Sequence, residues 1–204
     1  MSSDHHRQTV TGVILAGGQA RRMQQRDKGL VPYLGQPMIA YGIQAMLPLV
    51  QQLLINANRN LEVYQQFGWP VITDRSEQYH GPLAGILSAF LHTKSELLLV
   101  IPCDSPLIQT QHLQRLIEAC SDSNVDLAVA SDGNRLHPVF LALRANLYDS
   151  LEAYIASGQS KIADWIAQQK RVIVDFSDYP DVFSNINTLE ELAQLENETS
   201  KLVP

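Results

Sequence analysis

Residues Thr11–Lys28 read TGVILAGGQARRMQQRDK, and the change of character halfway along this stretch decides the fold. Val13-Ile14-Leu15 is a short run of branched apolar residues, fit for a strand buried on both faces. It stops at Ala16-Gly17-Gly18 and turns basic through Arg21, Arg22, Arg26 and Lys28. Paired glycines after a strand let the backbone come close to a ligand, because no Cβ stands in the way. The freed N–H groups can face anionic oxygens, and the basic side chains can neutralise them. The stretch reads as a phosphate-handling loop after the first strand of an α/β domain.

Two common phosphate loops do not fit it. The dinucleotide fingerprint needs G-x-G-x-x-G and the P-loop needs G-x-x-x-x-G-K-[ST], whereas Gly17 and Gly18 are adjacent and Lys28 precedes Gly29 and Leu30. The bare alternative is a tight βα turn with a solvated basic loop. The whole chain carries a formal net charge of -6, which argues against a general nucleic-acid binder. The basic cluster therefore suits a small anionic partner. With 204 residues, 45% of them hydrophobic and 18% charged, the chain suits one domain with a large core. Cys103 and Cys120 form neither a disulfide framework nor a metal-ligand spacing. No apolar run approaches membrane length and Met1–Gln8 does not read as a signal peptide, so a reduced, cytoplasmic setting is expected.

Further strands are expected at Leu53–Ile55, Val71-Ile72 and Leu97–Ile101, with helices at Met38–Leu47, Leu61–Phe67 and Pro82–His92 between them. Tyr33–Pro37 reads as a turn, and Thr110 as the cap of a helix reaching Cys120. This alternation predicts a doubly wound, mostly parallel sheet. In the second half, Leu127–Ala130 and Val139–Leu143 flank Ser131-Asp132-Gly133-Asn134, and Asp-Gly is a hairpin signal. A small antiparallel element is expected there. Helices at Ala145–Ala156 and Ser160–Gln168, a strand at Arg171–Asp175 and a capping box at Thr188–Glu191 complete the pattern. The boundaries expected are one domain over 9–196, with tails at 1–8 and 197–204; His5 and His6 in the first tail read as solvated.

The polar residues of interest follow strand ends: Gly17 and Gly18, then Asn56, Asp74 and Asp104. In open α/β sheets ligands bind just outside those ends. Asn56 and Asp74 also have the plain reading of loop caps. Asp104 stands between Pro102 and Pro106 after the most apolar strand, where a carboxylate needs a partner. A divalent cation is one such partner, since Mg²⁺ takes one or two carboxylates plus substrate phosphates; capping the next helix is the other.

Leu15–Gly18, Arg22-Met23 and Asp27-Lys28 resemble the LAGG-x-x-x-RM-x-x-x-DK pattern of nucleotidyltransferases. Together with Asn56–Arg59 (NANR), Gly81–Gly85 (GPLAG), Pro102–Pro106 (PCDSP), His137-Pro138 and Asn185–Thr188 (NINT), the order is similar to that of molybdenum cofactor guanylyltransferases. The likeness runs from about Thr11 to Glu191. LAGG and the Asp after the fourth strand are shared across nucleotidyltransferases, while NANR, GPLAG and the closing N-x-N-T are more particular. Gln24 departs from the glycine usual after Arg-Met.

The resemblance implies a nucleotide-diphospho-sugar-transferase-like fold and transfer of GMP from GTP to the terminal phosphate of molybdenum-bearing molybdopterin, with Mg²⁺ as cofactor. It puts GTP contacts at Leu15, Ala16, Gly17, Lys28, Asn56, Asp74 and Asp104, with Arg22, Lys28 and Asp104 catalytic and Asp104 on the metal. Acceptor contacts fall on His137, Asn185 and Asn187; as bare residues these are a structural histidine and two turn formers. Protein partners that deliver or receive the cofactor fit the picture, and nucleic acid and membrane do not. Two other readings stay open: cytidylyl or sugar-1-phosphate transfer on the same fold, and a non-catalytic nucleotide sensor.

Overall fold

The computed structural model describes residues 8–17, 27–75, 81–121, 124–183, 186 and 188–200. Its elements in chain order are β1 (Val10–Leu15), β2 (Pro32–Tyr33), β3 (Gln36–Pro37), α1 (Met38–Met46), β4 (Gln52–Asn56), α2 (Leu61–Gln65), β5 (Val71–Ile72), α3 (Pro82–Phe90), β6 (Leu97–Pro102), α4 (Thr110–Ala119), β7 (Leu127–Ser131), β8 (Leu136–Arg144), α5 (Tyr148–Ala156), α6 (Ile162–Ala167), β9 (Arg171–Asp175) and α7 (Leu189–Ser200). Seven strands form one sheet in the order β5-β4-β1-β6-β8-β7-β9. β1 pairs in parallel with β4 on one side and β6 on the other, with Val13 opposite both Leu54 and Val100.

Helices cover both faces, which is why Val13–Leu15 and Leu97–Ile101 are apolar at every position. In β6, Leu97, Leu99 and Ile101 pack with Ile39, Ile43, Tyr64 and Leu113 of α1, α2 and α4. Leu98 and Val100 point the other way, into Leu83, Ile86, Leu151 and Trp165 of α3, α5 and α6. Leu97–Ile101 are all fully buried. At roughly 1.5–3 kcal/mol for each buried Leu or Ile side chain, this strand is a main anchor of the sheet. No helix among the described residues is long and apolar enough to cross a membrane.

The antiparallel element is β8, which runs against both β6 and β7, while β9 returns parallel to β7. Its turn is built as Asp-Gly predicts: Asp132 Oδ1 accepts the N–H groups of Asn134 and Arg135, both at 2.8 Å.

Local detail departs from expectation in three places. Tyr33–Pro37 is more than a turn: β2 and β3 pair antiparallel across Leu34 and Gly35, at φ 45° and 82°. Two successive positive φ angles match the twist of a two-residue hairpin. The cap of α4 is Gln109, which exchanges hydrogen bonds with His112, its own N–H donating to Nδ1 at 3.1 Å. Thr110 instead donates its hydroxyl to the Ala45 carbonyl at 3.0 Å; a tie between α1 and α4 has outcompeted the local cap. Third, α2 and α6 are shorter than their apolar spacing suggests, and Ala145–Leu147 is a 3-10 turn ahead of α5. The Thr188 box forms as read, with the Glu191 N–H on Thr188 Oγ1 at 3.1 Å and the Thr188 N–H on Glu191 Oε2 at 3.2 Å.

Candidate functional site

The C-terminal ends of β1, β4, β5 and β6 are stitched into one edge by their last backbone hydrogen bonds. The Ala16 N–H donates to the Asn56 carbonyl at 2.8 Å, the Ala57 N–H to Ile72 at 2.9 Å, and the Cys103 N–H to Leu15 at 3.1 Å. Just beyond these bonds the chain turns polar, so four side-chain-bearing tips share a single rim.

On one half of the rim, Asn56 and Asn58 clamp Asp74. The Asn56 amide donates to Asp74 Oδ1 at 2.9 Å and the Asn58 amide to Oδ2 at 2.7 Å, while the Asp74 N–H returns a bond to Asn58 Oδ1 at 2.9 Å. The amide oxygen of Asn56 then lies against α3. A Cβ added to Gly85 would stand 2.3 Å from Asn56 Oδ1 and 2.7 Å from Leu15 Cδ2, closer than any real contact. Gly85 is therefore a glycine because Asn56 and β1 need its space. Gly17 is near the same amides: its Cβ would meet Asn58 Nδ2 at 3.2 Å.

On the other half, Lys28 Nζ sits 2.9 Å from Asp104 Oδ2. Asp104 is buried at 6% exposure, and a buried carboxylate without a cation would cost several kcal/mol. Lys28 supplies that cation, reached across 76 residues of sequence. Oδ1 of Asp104 makes no hydrogen bond or ion pair among the described residues. A single carboxylate oxygen at an open rim, beside a place for phosphates, fits a hard divalent cation that keeps most of its water. It does not fit a closed protein cage, and among the described residues no three His, Cys, Asp or Glu side chains gather into one.

A third group supports Lys28 from behind. The Asp27 carboxylate, 7% exposed, accepts the Tyr64 hydroxyl at Oδ1, 2.6 Å away, and the Asn60 amide at Oδ2, 3.0 Å away. The Arg59 Nε lies 3.5 Å from the same Oδ2. Burial, with Cys103 and the Asp27 carboxylate nearby, drives the Tyr64 phenol far above its usual range, so it remains a donor at any working pH. Between Asp27 and the rim, Gly29 passes so close that a Cβ there would lie 2.7 Å from Tyr64 Oη and 3.1 Å from Cys103 Sγ. Residues 56–60 thus serve both halves: Asn56 and Asn58 face Asp74, Arg59 and Asn60 face Asp27.

Of the residues singled out in the sequence, Leu15, Ala16, Gly17, Lys28, Asn56, Asp74 and Asp104 all lie on this rim. Gly18, Arg22, Asn185 and Asn187 lie outside the described residues. Ile186, between the two asparagines, donates its N–H to the Asp104 carbonyl at 3.3 Å, which brings that segment beside the rim. His137 belongs to another group. Its Nε2 is 2.8 Å from Asp132 Oδ2 and its ring stacks on Phe183 with centroids 4.6 Å apart. The Arg135 N–H, then His137 and the Asn134 N–H, hold the Asp132 carboxyl well below the usual carboxylate range. No hydrogen bond or ion pair links His137 to Lys28 or Asp104 among the described residues. The Asp27 group and Asn58 were missed in the sequence, although Asp27 directly before Lys28 and the asparagine-rich run at 56–60 were signals that could have found them.

A rim that sets an ammonium and a carboxylate at an open edge can hold polyphosphate and oppose the charge that develops when one phosphate leaves. Comparisons with known proteins show the family to which the chain belongs. Residues 12–172 match the family model of the MobA-like NTP transferase domain. The chain is 46% identical over 187 residues to a molybdenum cofactor guanylyltransferase of Shewanella piezotolerans, covering 92% of each. It is 47% identical to one of Shewanella loihica, covering 91% of this chain and 95% of that one. Among solved structures, molybdopterin-guanine dinucleotide biosynthesis protein A from Archaeoglobus fulgidus superposes with a TM-score of 0.77 at 22% identity, over 94% of this chain and 99% of that one. CMP:2-keto-3-deoxy-manno-octonic acid synthetase complexed with CTP superposes at 0.74 with 13% identity, over 96% and 100%. These last two likenesses establish the nucleotidyltransferase fold.

Proposed function

Because this chain belongs to the family of molybdenum cofactor guanylyltransferases, we propose that it transfers GMP from GTP to the terminal phosphate of molybdenum-bearing molybdopterin. An acceptor phosphate oxygen forms a bond to the α-phosphorus, the bond to the bridging oxygen breaks, and pyrophosphate departs with the electron pair. The observation that carries this reading is the 2.9 Å pair between Lys28 and Asp104 at the edge where the strand ends converge. One positive and one negative group side by side at that edge suit a site that holds a triphosphate and its cation.

Lys28 opposes the charge that builds on the leaving pyrophosphate, a role that pre-placed cations fill best in a partly dry site. Arg22 adds a second positive charge from the loop. Gly17 and Ala16 let the nucleotide lie against the backbone, and the clamped Asn56–Asp74 pair meets the nucleoside end. Asp104 would hold Mg²⁺, and the metal would supply neutralisation of the phosphate oxygens. The acceptor phosphate is already ionised at neutral pH, so no side chain has to activate it. Asn185 and Asn187, flanking the Ile186 contact to Asp104, meet the pterin side. His137 contributes through its stack on Phe183 rather than by touching the acceptor. We read residues 9–196 as one domain working in the cytosol, with GTP and molybdopterin as substrates and cofactor-delivery or molybdoenzyme proteins as partners.

Cytidylyl transfer is not favoured, since the relatives at about 46% identity carry the guanylyl name. The test is a thermal-shift comparison of GTP, CTP, ATP and UTP, each with Mg²⁺. A ligand that binds only the folded state raises stability by RT ln(1 + [L]/Kd), about 2.7 kcal/mol at a hundredfold excess over Kd. For a chain of this size that is a rise of about 5–11 °C. GTP should reach it and the others should fall clearly short. Equal shifts for all four nucleotides would refute guanine selectivity.

A further inference from the structure

We infer that Tyr64 is a positioning residue for Lys28, acting through the buried Asp27 carboxylate; the inference rests on the function proposed above. Tyr64 comes from α2, is fully buried, and has no route to substrate. Its hydroxyl sits at a junction of three parts: Asp27 Oδ1 at 2.6 Å, the backbone at Gly29, and Cys103 next to Asp104. The Asp27 backbone is extended, at φ −72° and ψ 115°, and its carbonyl accepts the Leu30 N–H at 3.0 Å to start the 3-10 turn Lys28–Leu30. With its side chain pinned by Tyr64 and Asn60, Asp27 fixes where residue 28 leaves the loop. That sets the reach from the Lys28 Cα to Asp104.

The supporting side chains are placed with unusual backbone care. Asn60 holds φ 51° and ψ 33°, a left-handed conformation that asparagine tolerates better than other side-chain-bearing residues. Its side chain makes no cap bond to α2, and its amide goes to Asp27 instead. A lysine stem has four rotatable bonds and costs up to about 2 kcal/mol to order, so a fixed point one residue away narrows the search its ammonium makes. Positioning errors of about 1 Å cost on the order of a hundredfold in rate.

The experiment is a double-mutant cycle of Tyr64→Phe with Lys28→Ala, read both in GTP·Mg²⁺ affinity by calorimetry and in GMP-transfer turnover. Tyr64→Phe alone should lower turnover about tenfold and weaken GTP·Mg²⁺ binding about fivefold, both through Lys28. In the Lys28→Ala background the same change should have no further effect, because the group it positions is gone. A purely structural tyrosine would act equally in both backgrounds, and that additive result overturns the inference, as does turnover by Tyr64→Phe within twofold of wild type. Should Tyr64→Phe fold poorly, Asn60→Gly removes the other Asp27 donor while keeping the left-handed backbone, and must show the same coupling to Lys28. Wild-type protein that binds GTP without transferring GMP would instead refute the proposed reaction, and the cycle read in affinity still decides the role of Tyr64.

Discussion

Asp104→Ala is expected to lower Mg²⁺-dependent GMP transfer by at least a hundredfold while the protein still folds. The carboxylate is fixed at the end of β6, whose residues Leu97–Ile101 are fully buried, and it brings together two things that transfer needs. Oδ2 fixes Lys28 at 2.9 Å, and the carboxylate is the group proposed to take the metal. Loss of one pre-placed group that stabilises transition-state charge typically costs 10²–10³ in rate. The fold should tolerate the change because the Lys28 side chain, 23% exposed, can swing its ammonium into water rather than remain a buried, unpaired charge. Asp104→Asn should be nearly as damaging, since a neutral amide holds neither cation well. Steady-state turnover with thermal melting checks both halves. Turnover within tenfold of wild type at the same Mg²⁺ concentration would remove Asp104 from the reaction.

The second large effect is expected at Gly85, a residue with no chemistry of its own. Gly85→Ala drives a methyl group to 2.3 Å from Asn56 Oδ1 and 2.7 Å from Leu15 Cδ2. Overpacking of this kind costs about 1–3 kcal/mol, against which the better helix propensity of alanine returns up to about 1 kcal/mol. A net loss of about 1–2 kcal/mol lowers the melting temperature by roughly 2–8 °C. The larger consequence is at the rim, because Asn56 cannot give way without leaving Asp74. GTP affinity should fall at least about tenfold. Pairing the change with Asn56→Ala makes room for the methyl group, so the double variant should melt higher than Gly85→Ala alone and still bind GTP poorly. Wild-type affinity and melting in Gly85→Ala would mean that Asn56 is not held as tightly as the packing indicates.

Much of this was legible in the residues because burial and backbone demand leave local marks. Val13-Ile14-Leu15 and Leu97–Ile101 are apolar at every position because helices cover both their faces, and such runs read as central strands. The polar residues after each strand end lie on the rim because the sheet is parallel there, so every strand delivers its last residue to the same side. The place of β8 between β6 and β7 was not legible. The Asp132-Gly133 turn fixes the pairing of β7 with β8, but which strand β8 takes as its second neighbour is a long-range choice with no local mark. Thr110 misled for a related reason, its hydroxyl being spent on α1 rather than on its own helix. At the rim, Asp27 was read only as part of the DK pattern and given no role, because the basic loop was read for its cations. The anion that pins one of those cations pairs with Tyr64, 37 residues away, and nothing in the loop itself announces that partner.

The crowding around Gly29 also bears on oxidation chemistry. Cys103 precedes Asp104 directly, in a site built to handle reactive phosphates, yet burial, followed by the Asp104 and Asp27 carboxylates, pushes its thiol well above the ordinary range. Thiolate is the species that peroxides, disulfides and electrophiles attack. A buried sulfur packed close to Gly29, its thiol pushed up, gives them little foothold. The thiol next to Asp104 is therefore expected to resist oxidation that would modify an exposed cysteine in its place.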